Sequence, residues 1–425
     1  MYELMEQALG GLTMHRAKMV ISGIIGLVSI LIIFTILMYP EEIFQASLRG
    51  LSIWWDVVFP SLLPFIILSE LLMGVGVVHF FGVFLHPIMF PLFRVPGPGG
   101  FVLAMGFASG YPVGAKLTTQ LRQRNMINQF EGERLVSFTS TSDPIFIFGA
   151  VAVGIFHDPS LGVILALSHY LSSLLVGFIM AFHERKAPRT PYQSERGNLL
   201  RQGLRAMHRA RMEDGRSFGT LMAEAINSGF KTTFLIGGFM ICFSVLIQVL
   251  TLINLVQLIQ WIVALILLPL GFAYELSSPT IYGLFEITLG TQGISLSPSS
   301  IPMLDKMILV SFLIAWSGFS IHAQVASILS TTDIRYKPYL YSRILHAFLA
   351  SLLTYFSWEP LYHSLLAPAN IPTFLTQLPK GGFSMMAQYS LLHGFLFLVF
   401  VMLSLLLILV LRVAKRLVLL NPQRK

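Results

Sequence analysis

Charge is what this 425-residue chain has least of: 11% of its residues are Asp, Glu, Lys or Arg, against 55% that are hydrophobic. An ordinary soluble domain is roughly a quarter charged, so the polar side chains that would clothe a water-soluble globule are missing. Cysteine is nearly absent too. Its one copy, Cys242, has no disulfide partner and cannot build a metal cluster alone. There is no G-x-x-x-x-G-K-[ST] phosphate loop, no H-E-x-x-H helix and no G-x-S-x-G elbow, so ATP hydrolysis, zincin and serine-hydrolase chemistry are unsupported. No residue is assigned a catalytic role, and no metal or resident cofactor is expected; a coupling proton or sodium ion is compatible with the sequence.

What is present is apolar run length. A helix that crosses a bilayer needs ~20 mainly apolar residues, and Val20 to Tyr39 and Met385 to Val413 are the clearest such runs. The first is too long for a signal peptide and lacks a small-residue cleavage site, so it reads as a retained helix. The net charge of +8 would suit nucleic acid in a soluble protein, but its placement here points to anionic membrane lipid and not to nucleic acid. Nine Lys or Arg and four Asp or Glu fall between His183 and Arg216. Arg16 and Lys18, then Arg122, Arg124 and Arg134, then Arg335, Lys337 and Arg343, and finally Lys415, Arg416, Arg424 and Lys425 form further basic groups. The positive-inside rule puts all five groups in the cytoplasm and the base-poor stretches Pro40 to Gly50, His157 to Ser160 and Ala367 to Gly382 opposite.

Eight crossings satisfy that pattern, at roughly 20–39, 51–73, 135–156, 161–182, 229–255, 307–330, 344–364 and 385–413. Phe101 to Leu121 and Tyr274 to Ile294 do not fit the count. A full crossing by either would invert the charge bias of every later loop, so both read as re-entrant hairpins, each preceded by an apolar segment lying along the interface. The expected fold class is therefore an all-α membrane protein with about eight transmembrane helices plus two re-entrant hairpins in inverted repeats. Leu135-Val136-Ser137-Phe138 recurs as Leu309-Val310-Ser311-Phe312, and at the same separation of 174 residues Ile147, Val151 and Ala152 meet Ile321, Val325 and Ala326. Opposed copies of one unit are the arrangement of many secondary transporters, whose solute site lies between the repeats. The expected organisation is an N-terminal segment and first helix over 1–49, a first repeat with its following helix over 50–182, a basic cytoplasmic loop over 183–224, a second repeat over 225–330, and C-terminal helices with a basic tail over 331–425.

Polar residues inside the apolar segments mark where a solute would bind, because buried ionisable groups in a membrane are costly. Thr139 to Pro144 interrupts a segment otherwise apolar enough to span, and Pro144 removes a backbone donor, so the helix is expected to break and turn Ser140, Ser142 and Asp143 toward a cavity. An Asp that merely caps the second half-helix is the plainer reading, and the two roles coexist. In the second repeat Gly318 is the expected break, with Ser317, Ser320, His322 and Gln324 around it. A lone histidine is often structural, yet a protonated His322 would attract an anion. The first hairpin carries Ser109, Gly110, Tyr111 and Lys116 around a tip whose amides favour anions; Lys116 either adds its charge to that nest or snorkels to the headgroups. The second hairpin carries Glu286 and Thr288, an isolated carboxylate and a hydroxyl. Tyr111 and Trp316 flank the breaks as stacking surfaces.

The paired segments resemble the nucleoside-recognition Gate domain, which is similar to the core of concentrative nucleoside transporters, over about 50–156 and 225–330. More closely, Gly106 to Lys116 and Phe146 to Gly154 resemble the YlbJ-type family of sporulation integral membrane proteins, the stage V sporulation (SpoVV) type, over nearly the whole chain. That resemblance implies a spore-forming bacterium and a protein of the cytoplasmic membrane, specifically the outer forespore membrane, that moves dipicolinate, a small anionic solute, from the mother cell. Nucleoside transporters carry an acid in each hairpin; Glu286 matches the second, while Ser109 to Pro112 stands at the first. The readings that follow are a dipicolinate carrier, a nucleoside carrier, an intramembrane enzyme using Asp143, Glu286 and His322, and an assembly factor for the spore cortex. A homo-oligomer is compatible with each.

Overall fold

The computed structural model describes residues 29–191 and 199–363, with residues 23, 26 and 27 before them. The expected last span, 385–413, lies outside the described residues. Within them the chain is entirely helix and connecting turn, without strands. Apolar side chains such as Phe234, Trp261, Leu265 and Phe348 stand exposed on the outside, as they do when lipid and not water is the solvent. The protein is an all-α integral membrane protein. Among the described residues three helices are long and apolar enough to cross a bilayer, Pro159–Met180, Phe218–Leu252 and Met303–Leu329, or up to five spans if each of two sharply bent pairs counts as one.

The first of those bends corrects an expectation. The first span was read as 20–39 with a loop after it. Instead Ser29–Met38 turns by 105° into a second helix that begins at Pro40, so Pro40 to Gly50 is helical. Proline at the first helical position, followed by Glu41 and Glu42 in the first turn, explains why a helix starts there. The second bend, 84°, separates α2 (Phe59–Gly74) from α3 (Val77–Phe93). Gly76, at φ 87°, makes the turn. The segment over 183–224 also holds more than loop: α8 (Leu199–Asp214) lies within it, and α9 (Phe218–Leu252) begins before its end.

The two hairpins are real in geometry. The first joins α4 (Pro98–Ser109) to α5 (Val113–Gln123). The second joins α11 (Ser277–Phe285) to α12 (Ile287–Ser295). A Cβ on Gly290 would stand 2.2 Å from Gly283 Cα and one on Gly293 3.0 Å from Pro279 Cβ, so these helices run back along each other with no room for a side chain between them. Both broken helices also form. The first is α6 (Gln129–Thr139), an unwound stretch, and a π-helix over Ile145–Ile155; the second is α13 (Met303–Trp316) followed by α14 (Gly318–Leu329). Val113 and Ile287, Gln129 and Met303 open equivalent helices at the 174-residue offset seen in the sequence. Helices α7 (Pro159–Met180) and α15 (Tyr336–Ser357) pack against the breaks.

At the end of the molecule that carries the basic segment, side chains tie α6 to its neighbours. The fully buried Glu133 accepts from Arg335 at 2.6 Å and from His183 at 2.7 Å. Arg134 donates to the carbonyls of Arg94, His183 and Glu184, the ends of two helices. Burial alone would raise the Glu133 carboxyl, but the hydrogen bonds from Arg335 and His183 outweigh it and hold the pKa at about 2, against 4.5 for the free group. A carboxyl depressed in this way contributes stability above its unfolded pKa and loses it as pH falls toward the folded value. The thermal unfolding midpoint in detergent is expected to drop between pH 4.5 and about 2, and Glu133→Gln is expected to lower the midpoint at neutral pH while flattening that acid limb. An acid limb of equal steepness in both proteins would contradict the assignment.

Candidate functional site

Helix α6 ends at Thr139 because the chain from Ser140 to Asp143 leaves helical geometry before Pro144 restarts it. Its freed backbone groups find partners on α7 and α15. Ser173 donates to the Phe138 carbonyl at 2.6 Å, His169 Nε2 accepts from the Ser142 N–H at 2.9 Å, and Tyr170 donates to the Ser142 carbonyl at 3.0 Å. Arg343 donates to the carbonyls of Ser137 and Ser140. Thr139 presses its carbonyl between the hairpin glycines: a Cβ on Gly106 or on Gly114 would each lie 2.2 Å from that oxygen.

Arg343 was assigned with Arg335 and Lys337 to a basic loop. The structure overturns that: Arg343 is fully buried on α15, satisfying the last carbonyls of α6 and complementing that helix's negative end. The sequence hint was its place at the edge of the expected 344–364 span. Nothing in the pattern distinguished it from the exposed Arg335. His169, Tyr170 and Ser173 were equally unmarked.

The second break is sharper. Ser317 as well as the expected Gly318 takes positive φ, 75° and 71°. Tyr111 from the first hairpin tip donates to the Ile314 carbonyl at 2.8 Å, and Trp316 Nε1 donates to the Leu284 carbonyl at 3.1 Å, so each hairpin touches the second break.

Between these pieces lies a cavity of about 80 Å³. A single water needs roughly 10–15 Å³ on the same measure, so a few waters or one small solute fit. Tyr111, Ser142, Asp143, Glu286, Thr288, Ser320 and Gln324 line it, together with apolar side chains that include Val58, Leu62, Ile236 and Met240. Seven of the thirteen expected site residues therefore meet here. Two are carboxylates, and among the described residues no basic side chain lines the cavity. Both carboxylates also cap helices: Asp143 accepts from the Phe146 N–H at 2.9 Å, and Glu286 from the Leu289 N–H at 2.9 Å and the Thr288 hydroxyl at 3.2 Å. Capping and lining coexist because a carboxylate has more acceptor sites than a cap uses.

The other six stand elsewhere. Ser109, Gly110, Ser140 and Ser317 sit at the tips and breaks without lining the cavity. Lys116 does not serve the hairpin tip: its ammonium pairs with Glu70 at 3.0 Å and donates to Ser228 and Thr232, which ties α5 to α2 and α9. His322 has one ring nitrogen at 2.6 Å from the Tyr336 hydroxyl and the other at 2.9 Å from the Trp316 carbonyl. These bonds occupy both nitrogens, and the ring holds the second break together without reaching the cavity.

A family model described as nucleoside recognition (Gate) matches residues 55–159. The sporulation integral membrane protein YlbJ of Bacillus subtilis (strain 168) is 47% identical over 335 residues, 77% of this chain and 80% of that protein. A solved outward-facing state of a doubly substituted CNTnw aligns with TM-score 0.33 and 13% identity over 77% of this chain and 85% of that one.

Because the Thr139 carbonyl leaves no room on Gly114, Gly114→Ala is expected to push the hairpin off the unwound segment and to destabilise the protein by roughly 1–3 kcal/mol, the usual cost of overpacking. Gly149→Ala is the control, since its added methyl meets nothing closer than 3.8 Å. Equal unfolding temperatures for the two variants would contradict the close approach.

Proposed function

Because the chain belongs to the YlbJ family of sporulation integral membrane proteins, we propose that it carries a small polar solute across a bacterial membrane through the cavity between Asp143 and Glu286. The observation that supports this most is the meeting of two helix breaks and two hairpin tips, drawn from both repeats, around one cavity with a carboxylate from each. Unwound backbone at membrane depth occurs where it lines such a path, and opposed repeats give it a means of opening to alternate sides.

The finer reading is dipicolinate, moved across the outer forespore membrane during sporulation. The lining is compatible with it: apolar side chains and hydrogen-bonding groups together are what a ring with polar substituents needs. Its charge imposes a condition. Two ionised carboxylates and a dianion cannot share a dry cavity with no lining cation, so the anion enters with protons on the carboxyls or with a cation beside it. A nucleoside is the second reading, favoured by the same lining, since ribose hydroxyls and base amino groups donate to carboxylates without a counter-charge.

Uptake into proteoliposomes decides between them. Labelled dipicolinate is expected to accumulate only when a proton or sodium gradient points the same way, and labelled uridine to enter weakly. Asp143→Asn and Glu286→Gln are each expected to cut the rate by about tenfold, the effect of one lost charge-assisted hydrogen bond. Uptake of uridine alone would make this a nucleoside carrier; uptake of neither, or full activity in both variants, would contradict transport at this site.

A further inference from the structure

Two histidines that do not line the cavity pack against each other behind the unwound segment. His169 on α7 and His346 on α15 are buried, at 1% and 0% exposure, with ring centroids 4.7 Å apart. Their hydrogen bonds settle both tautomers. The Ser142 N–H donates to His169 Nε2 at 2.9 Å, so that nitrogen is bare and the proton of a neutral ring is on Nδ1. His346 Nε2 lies 2.9 Å from the His169 carbonyl, which only accepts, so this nitrogen carries hydrogen and the neutral ring's Nδ1 is bare. Both Nδ1 atoms are buried without a hydrogen-bond partner among the described residues. The pair thus presents one orphaned donor and one orphaned acceptor in adjacent rings, each of which is costly to leave unmade.

We propose that a single buried water completes this pair, accepting from His169 Nδ1 and donating to His346 Nδ1. The completed pair fixes His169 as a neutral acceptor and makes it a positioning residue that holds Ser142 on the cavity wall. A buried water with two or more polar partners is an ordinary structural element. The charged and titratable groups around the rings are Arg343 on α15, Asp143 beside Ser142, Tyr170 on α7 and Tyr111 from the first hairpin. Arg343 already places a positive charge there, and a proton added to His169 Nε2 would set it donor-to-donor against the Ser142 N–H. Protonation of His169 would therefore break the bond that holds Ser142. The effect on solute binding rests on the carrier reading above; the water and the tautomers do not.

Nitrogen-15 NMR of histidine-labelled protein in lipid reads the tautomers directly. His169 is expected to show a protonated Nδ1 and bare Nε2 and His346 the reverse, unchanged from about pH 5 to about pH 8, the range in which free histidine titrates. The His169 Nδ1–H is expected to show magnetisation transfer to a bound water. Matching tautomers, titration of either ring, or no water contact would overturn the proposal whatever the protein transports. For positioning, His169→Gln, which keeps an acceptor, is expected to bind whichever of dipicolinate and uridine the wild type takes up within about twofold of wild type, and His169→Leu about tenfold more weakly. Equal binding by the two variants would remove the positioning role, and if His169→Leu fails to fold, weak binding by a folded His169→Gln would do the same.

Discussion

A polypeptide that unwinds at membrane depth leaves peptide groups that no water can satisfy, and the structure around Ser140 to Asp143 is arranged to meet that constraint. Several of the freed groups have dedicated partners: Arg343 for the carbonyls of Ser137 and Ser140, His169 and Tyr170 for the two sides of Ser142, Ser173 for Phe138. Two whole helices, α7 and α15, are held against the break by this task. Their buried polar residues would be liabilities elsewhere in a membrane, since an unpaired polar group there costs several kcal/mol. Here they let the first repeat present Asp143 and Ser142 to a cavity instead of burying them in a continuous helix.

The second repeat reaches the same end with fewer donors. Its break is a two-residue kink at Ser317 and Gly318, so fewer peptide groups are freed, and the first hairpin supplies a partner through Tyr111. The repeats are therefore alike in element order and unlike in chemistry. Asp143 comes from a break and Glu286 from a hairpin tip, and both face one cavity. The hairpins differ as well, for the first is fastened through Lys116 to Glu70, Ser228 and Thr232 on the wall helices. A hairpin held by a half-buried ion pair resists movement relative to that wall, because separating the charges leaves each unpaired.

Much of this was legible in the residues. Alternation of apolar runs with basic clusters marked the helices, the 174-residue recurrence marked the repeat, and Pro144 and Gly318 marked the breaks, since each acts through local backbone chemistry. Asp143 and Glu286 stood out because an isolated carboxylate in an apolar run is costly. What escaped was everything decided by tertiary contact. Arg343 reads like a loop residue until α15 packs its guanidinium beneath α6. His322 and Lys116 read like solute ligands until Tyr336 and Glu70 take their nitrogens. The 105° turn before Pro40 was hidden because an apolar run has no feature that says in which direction it continues.

Ser142 and Thr288, from opposite repeats, line one cavity, and on the carrier reading that cavity opens to alternate sides. The chain's only cysteine makes a direct test simple: Cys242 is exposed on α9, and Cys242→Ser gives a background in which Ser142→Cys or Thr288→Cys is the sole thiol. Labelling each with a membrane-impermeant maleimide, added to one side of sealed vesicles at a time, reads which side reaches the cavity. If that reading holds, both positions are labelled from both sides and transported solute slows the labelling of both. Labelling of the two positions from opposite sides only, or no protection by solute at either, would contradict it.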